Sequence, residues 1–177
     1  MFFGGSVPTN QTQRALDGID SLLRPDVQVD VVVGSANPHR NEISSFCSMR
    51  RWANYHCQVS NMAEIISSAD LAVGAGGAAM WERCVLGLPT LTVVFADNQV
   101  KTTEDVAETG AIEYLGWATN LTSADYAEAI RALFDKPGYL EFMSKQALKL
   151  MGASNSGTQL IVNAMNESIN TVASFNG

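Results

Sequence analysis

Residues 68–84 read SADLAVGAGGAAMWERC, and the fold turns on how this stretch is understood. An apolar run closes on Gly74-Ala75-Gly76-Gly77, and good helix formers follow from Ala78. Strand, glycine turn and helix in that order form the βα unit of a parallel sheet. Gly74 to Ala79 also satisfies the G-x-G-x-x-A spacing of the dinucleotide fingerprint. Glycines let the main chain pass close to a diphosphate, and the helix that follows aims unpaired N–H groups and a positive dipole end at it. Three readings stay open on these residues alone: a dinucleotide site, a site for another phosphate-bearing ligand, or a tight packing turn. Asp97 stands 23 positions after Gly74, where a ribose-gripping acid would stand in an NAD site. Two features weigh against NAD. The fingerprint belongs in the first βα unit and here falls in the fourth, and NAD binding leaves Glu82 unexplained.

Outward from this unit, strand and helix alternate. MFFGG reads as a strand entering a turn, and NQTQRALDGIDSLL carries Ala15, Ile19, Leu22 and Leu23 at helical spacing. VQVDVVVG is a buried strand, followed by a polar, partly helical segment to about Trp52; YHCQVS is a short strand. NMAEIISSA is a helix capped by Ser60 or Asn61, and DLAVG and TLTVVFA are strands. NQVKTTEDVAETG is a helix and IEYLG a last strand. Beyond it lie three amphipathic tail helices, with Ser123 and Ser156 as caps and Pro137-Gly138 breaking the first from the second. The expectation is an α/β fold: one Rossmann-like, doubly wound parallel sheet of about six strands over residues 1–177, with a helical C-terminal tail. In such a sheet ligands bind at the carboxyl edge, where GGSVPTN, SNM, GAGGAAM and ADNQ form the turns.

Composition narrows the partners. A net charge of −7 argues against general nucleic-acid binding but leaves room for a small anion held by backbone N–H groups. Cys47, Cys57 and Cys84 form no C-x-x-C pair, which favours a reduced, cytoplasmic setting. No run approaches the roughly 18 apolar residues that a membrane span needs. MFFGG begins so abruptly that a dissected chain is expected. His39 is placed to face the crevice and His56 to pack in mid-strand; neither has a nucleophile or metal ligand arranged beside it. Glu82, three residues after Ala79, either reaches back to the ribose of a ligand or is an ordinary polar residue paired with Arg83 or water.

Residues 59–99, VSNMAEIISSADLAVGAGGAAMWERCVLGLPTLTVVFADNQ, closely resemble the carboxyl-terminal half of the UDP-sugar hydrolase family of pseudaminic acid biosynthesis. That family releases UDP from a UDP-linked diacetamido-trideoxy-altrose by adding water. It is similar in turn to the donor-binding half of the MurG-type N-acetylglucosaminyltransferase, both being GT-B folds. FFGGSVPTN and VDVVVGSANPH extend the resemblance to roughly residues 1–118. The resemblance implies that the Ser60-Asn61-Met62 backbone reads the uracil edge and that Gly76, Gly77 and Ala78 meet the diphosphate. It further implies that Glu82 holds the ribose hydroxyls, that Gly5 and Ser6 lie beneath the phosphates, and that Asn98 and Gln99 reach the sugar. Asn98 corresponds to an active-site asparagine, and no cofactor or metal is implied. The general base of the family is a histidine in a glycine-rich loop of an amino-terminal domain, and neither His39 nor His56 matches it. The expected partners are therefore UDP or a UDP-sugar and that second domain. A GT-B glycosyltransferase donor domain, or a non-catalytic nucleotide-sugar-binding module, are the alternatives.

Overall fold

The computed structural model describes residues 1–4 and 9–152. Helix α1 (Gln11–Ser21) leads to β1 (Val29–Val33), α2 (Arg40–Ser48) and β2 (Ala53–Cys57). Then come α3 (Met62–Ser67), β3 (Ala72–Ala75), α4 (Ala78–Val85), β4 (Thr90–Val94), α5 (Asp97–Glu108) and β5 (Ile112–Trp117). A 3-10 turn at Ala118–Asn120 precedes α6 (Ser123–Phe134), and α7 follows over 139–152. The third tail helix, Ser156, Gly5 and Ser6 lie outside the described residues.

The sheet differs from the expected six strands. Five strands form two parallel ladders, β1-β2 and β3-β4-β5. Residues 1–3 run between them and are too short to form a ladder of their own, making a single parallel bridge from Phe2 to Gly74. Hydrogen bonds nevertheless join both sides. The Val32 amide donates to the Met1 carbonyl at 2.9 Å, and the Phe2 amide donates to the Val73 carbonyl at 3.0 Å. Across the molecule the order is β2, β1, residues 1–3, β3, β4, β5. This is the order of a doubly wound dinucleotide fold, with its switch point between residues 1–3 and β3. Gly74 has a steric reason to be glycine there, because a Cβ on it would stand 2.3 Å from the Phe2 carbonyl oxygen.

The strands read as continuous apolar runs because both faces are covered. Val31, Val33, Val73, Leu91 and Val93 pack with Leu16 of α1, Ile43 of α2 and Tyr126 of α6 on one side. On the other, Met80 and Cys84 of α4 pack with Val106 of α5, and Ile66 of α3 packs with Ala72. Helix α7 serves both clusters, through Met143 and Ala147 respectively. The N-cap of α6 is Thr122 rather than the expected Ser123. Asp125 selects it by closing a capping box, in which its carboxylate accepts the Thr122 amide at 2.7 Å. Among the described residues no helix is long and apolar enough to cross a membrane.

Candidate functional site at the switch point

The crevice at the carboxyl edge is floored by the turn between β3 and α4. Gly76 ends the strand register by donating to the Val93 carbonyl at 2.8 Å. Gly77 caps α4 at φ 87°, ψ −152°, a conformation that side-chain-bearing residues avoid, and offers no side chain to the helix end. The opening N–H groups of α4, from Ala78, therefore have no capping side chain, and the Met80 amide turns back to the Gly77 carbonyl at 3.0 Å. Helix α5 backs the turn closely: a Cβ on Gly76 would come 2.7 Å from Thr103 Oγ1, a buried hydroxyl without a hydrogen-bond partner.

Helix α4 also carries Glu82, exposed and one turn beyond Ala78. It borders a cleft of about 900 Å³ that Ala79, Met62 and Ile65 also line and that extends away from the glycine turn to the amino ends of β1 and β3, at Val29 and Ala72. The structure thus brings Glu82 and Met62 to one cavity. Ser60 and Asn61 are exposed at the start of α3, where Asn61 is the N-cap position and donates to Glu64 at 3.0 Å instead of capping the helix. On the far side of the glycine turn, Gln99 Oε1 accepts the Phe95 amide at 2.9 Å, and its amide nitrogen lies 3.5 Å from where a Gly77 Cβ would be. Asn98, next to it, is exposed. Asp97 opens α5 and is exposed, with no direct link to the glycine turn.

The histidines stand apart from this cluster. His56 Nε2 is 2.8 Å from Asp30 Oδ1 on the adjacent strand, a cross-strand pair in the β1-β2 ladder. His39 sits at the N-cap of α2, with Nδ1 3.2 Å from Glu42. Arg83 escaped the sequence reading, which weighed it only as a partner for Glu82. It is buried, and its Nη2 donates to the Ala75 carbonyl at 2.6 Å. The signal was present: Met80, Arg83 and Cys84 share the i, i+3, i+4 face of α4 that turns inward.

A match to the glycosyltransferase family 28 C-terminal domain covers residues 1–161. The chain belongs to that family. It is 29% identical over 116 residues to the spore coat polysaccharide biosynthesis protein SpsG of Bacillus subtilis, covering 64% of this chain and 34% of that one. Among solved structures it is similar to Acinetobacter baumannii MurG, with a TM-score of 0.61 at 17% identity over 84% of this chain and 46% of that one. WaaG, a glycosyltransferase involved in lipopolysaccharide biosynthesis, gives 0.63 at 16% identity, with 84% and 41% covered. The chain spans about a third of the length of SpsG and less than half of either solved structure. At those identities the two structures speak for the α/β fold alone.

Proposed function

We propose that this domain binds the UDP half of a nucleotide sugar at the switch-point crevice, as the donor-binding half of a sugar-transferring enzyme. One observation carries the reading. A capless helix amino end behind a glycine turn and a carboxylate one turn along the same helix stand at the sheet edge where such folds take ligands. The diphosphate meets the Gly76-Gly77-Ala78 backbone, and Glu82, exposed one turn along α4, accepts hydrogen bonds from the ribose hydroxyls. The Ser60-Asn61-Met62 backbone reads the uracil edge, and Asn98 and Gln99 face the sugar, with Asn98 supporting the reaction. An acceptor hydroxyl attacks the anomeric carbon as its bond to the phosphate oxygen breaks. The charge that develops on UDP is stabilised by the amino end of α4. The base that takes the acceptor proton comes from a second domain.

The resemblance over residues 59–99 favours a second reading of the same site, in which water replaces the acceptor hydroxyl and a UDP-linked diacetamido-trideoxy hexose is hydrolysed. Both readings require UDP to bind. Titration calorimetry of the chain with UDP and with NADH tests that step, and heat with NADH but none with UDP would remove both. Product analysis of the two-domain enzyme then separates them: free sugar formed without an acceptor indicates hydrolysis.

A further inference from the structure

Arg83 is 4% exposed and is the only lysine or arginine buried among the described residues. None of the ion pairs among those residues includes it, and its Nε has no acceptor. Burial pulls its pKa down to about 10, which leaves the guanidinium charged at neutral pH. Exposed Glu82, the neighbouring residue on α4, acts on it without making contact and does not offset the burial. A buried cation so weakly balanced is costly to keep, and proteins avoid it unless an anion arrives. Its position says where that anion would be. Side chains of a helix tilt towards its amino end, so Arg83 reaches back along α4 towards the turn. There its Nη1 lies 2.9 Å from where a Cβ on Gly74 would be, and its Nη2 holds the Ala75 carbonyl, the last of β3. That carbonyl is tied to a cation instead of facing an incoming anion with its negative end.

We propose that Arg83 is the built-in counter-charge of the anion site, a buried guanidinium one peptide below the Gly76-Gly77 turn that favours a phosphoryl group on the amino end of α4. It acts as a positioning residue, through the field it sets up and the carbonyl it holds, without touching the ligand. The inference rests on the nucleotide reading of this site.

Pyrophosphate, UDP and uridine are titrated by calorimetry into the full chain and into Arg83→Met and Arg83→Lys. Pyrophosphate and UDP are expected to bind Arg83→Met about tenfold more weakly, as loss of one nearby charge in a partly buried setting implies. Uridine, which carries no phosphate, is expected to stay within twofold, and Arg83→Lys to retain most of the affinity. Pyrophosphate binding within twofold of the unaltered chain, or an equal fall for uridine, overturns the proposal. Arg83-dependent pyrophosphate binding without any gain from the uridine moiety upholds it while defeating the nucleotide reading. Failure of the unaltered chain to bind either anion defeats both. Should Arg83→Met not fold, the Arg83 Nε–H resonance of the unaltered chain decides: it shifts on adding pyrophosphate, and an unmoved resonance overturns the proposal.

Discussion

Gln99 lies against Gly77: its amide nitrogen is 3.5 Å from the position of a Cβ on that glycine, while its carbonyl oxygen holds the Phe95 amide at 2.9 Å. A methyl group therefore has room at residue 77, and the obstacle is the backbone, at φ 87° and ψ −152°. Gly77→Ala is expected to cost about 1–3 kcal/mol of stability, the usual strain of a side chain in this region. If the chain instead relaxes its turn, the α4 amino end moves off the crevice and UDP affinity falls together with stability. Urea denaturation and UDP titration on the same variant check this. A variant that keeps both would show that the turn is not the anion seat.

Glu82→Ala separates binding from folding. Glu82 is exposed, so its loss is expected to change stability by less than about 0.5 kcal/mol. UDP affinity is expected to fall by about 1–3 kcal/mol, the worth of hydrogen bonds from two hydroxyls to a carboxylate. UMP, which shares the ribose, is expected to lose as much, and pyrophosphate nothing. Unchanged UDP affinity would place the ribose elsewhere.

These residues show why parts of the site were legible in the sequence. The βα alternation and the glycine turn announce themselves through periodicity and composition. Spacing alone leaves Glu82 open between a ribose-facing acid and an ordinary polar residue, and only the resemblance gives it the ribose role. Gly74 misled for a physical reason. Its place in the G-x-G-x-x-A spacing suggests a ligand, whereas the structure uses it to let the Phe2 carbonyl and the Arg83 guanidinium approach. Residues 1–3 have no periodicity to read at that length, so their role as a single bridge between two ladders emerges only from long-range pairing. Arg83 was hidden by its charge, since arginines are rarely buried and it was weighed only as a partner for Glu82. Thr122 and Ser123 are chemically alike as caps, and only the position of Asp125 chooses between them.

The contact between α1 and α6 rests on another buried polar pair. The Tyr126 hydroxyl donates to Gln11 Oε1 at 3.1 Å, both residues being fully buried, and Gln11 Nε2 has no partner of its own. Burial drives the Tyr126 phenol well above the ordinary tyrosine range, so it stays a neutral donor at any working pH. Tyr126→Phe leaves the Gln11 amide wholly unsatisfied and is expected to cost about 1–3 kcal/mol. Adding Gln11→Met removes the orphan and is expected to recover most of that loss. Thermal denaturation of both single variants and the double variant checks this cycle, and a double variant as weak as the sum of the singles would contradict it.

Asp20 and Arg50 give stability a dependence on pH. Arg50 Nε and Nη2 both donate to Asp20 Oδ2, at 3.0 and 2.8 Å, and the guanidinium lies 3.4 Å from the Phe46 ring centroid. The Arg50 hydrogen bonds hold the Asp20 carboxyl below its usual pKa of 3.8. The unfolded chain therefore binds this proton more readily, and the pair stabilises the fold above that value and ceases to do so as pH falls through the folded pKa. The Asp20 side chain is 39% exposed, so solvent screening limits the gain to at most about 1 kcal/mol. Asp20→Asn is expected to be less stable than the unaltered chain by about that amount at pH 6. The two should converge as pH falls through the lowered folded pKa of Asp20, below which the carboxyl is neutral in both states. Urea denaturation across this range, repeated at high salt, measures the gap. A gap that did not narrow as pH fell below 3.8 would assign the stabilisation to the shape of the contact and not to its charge.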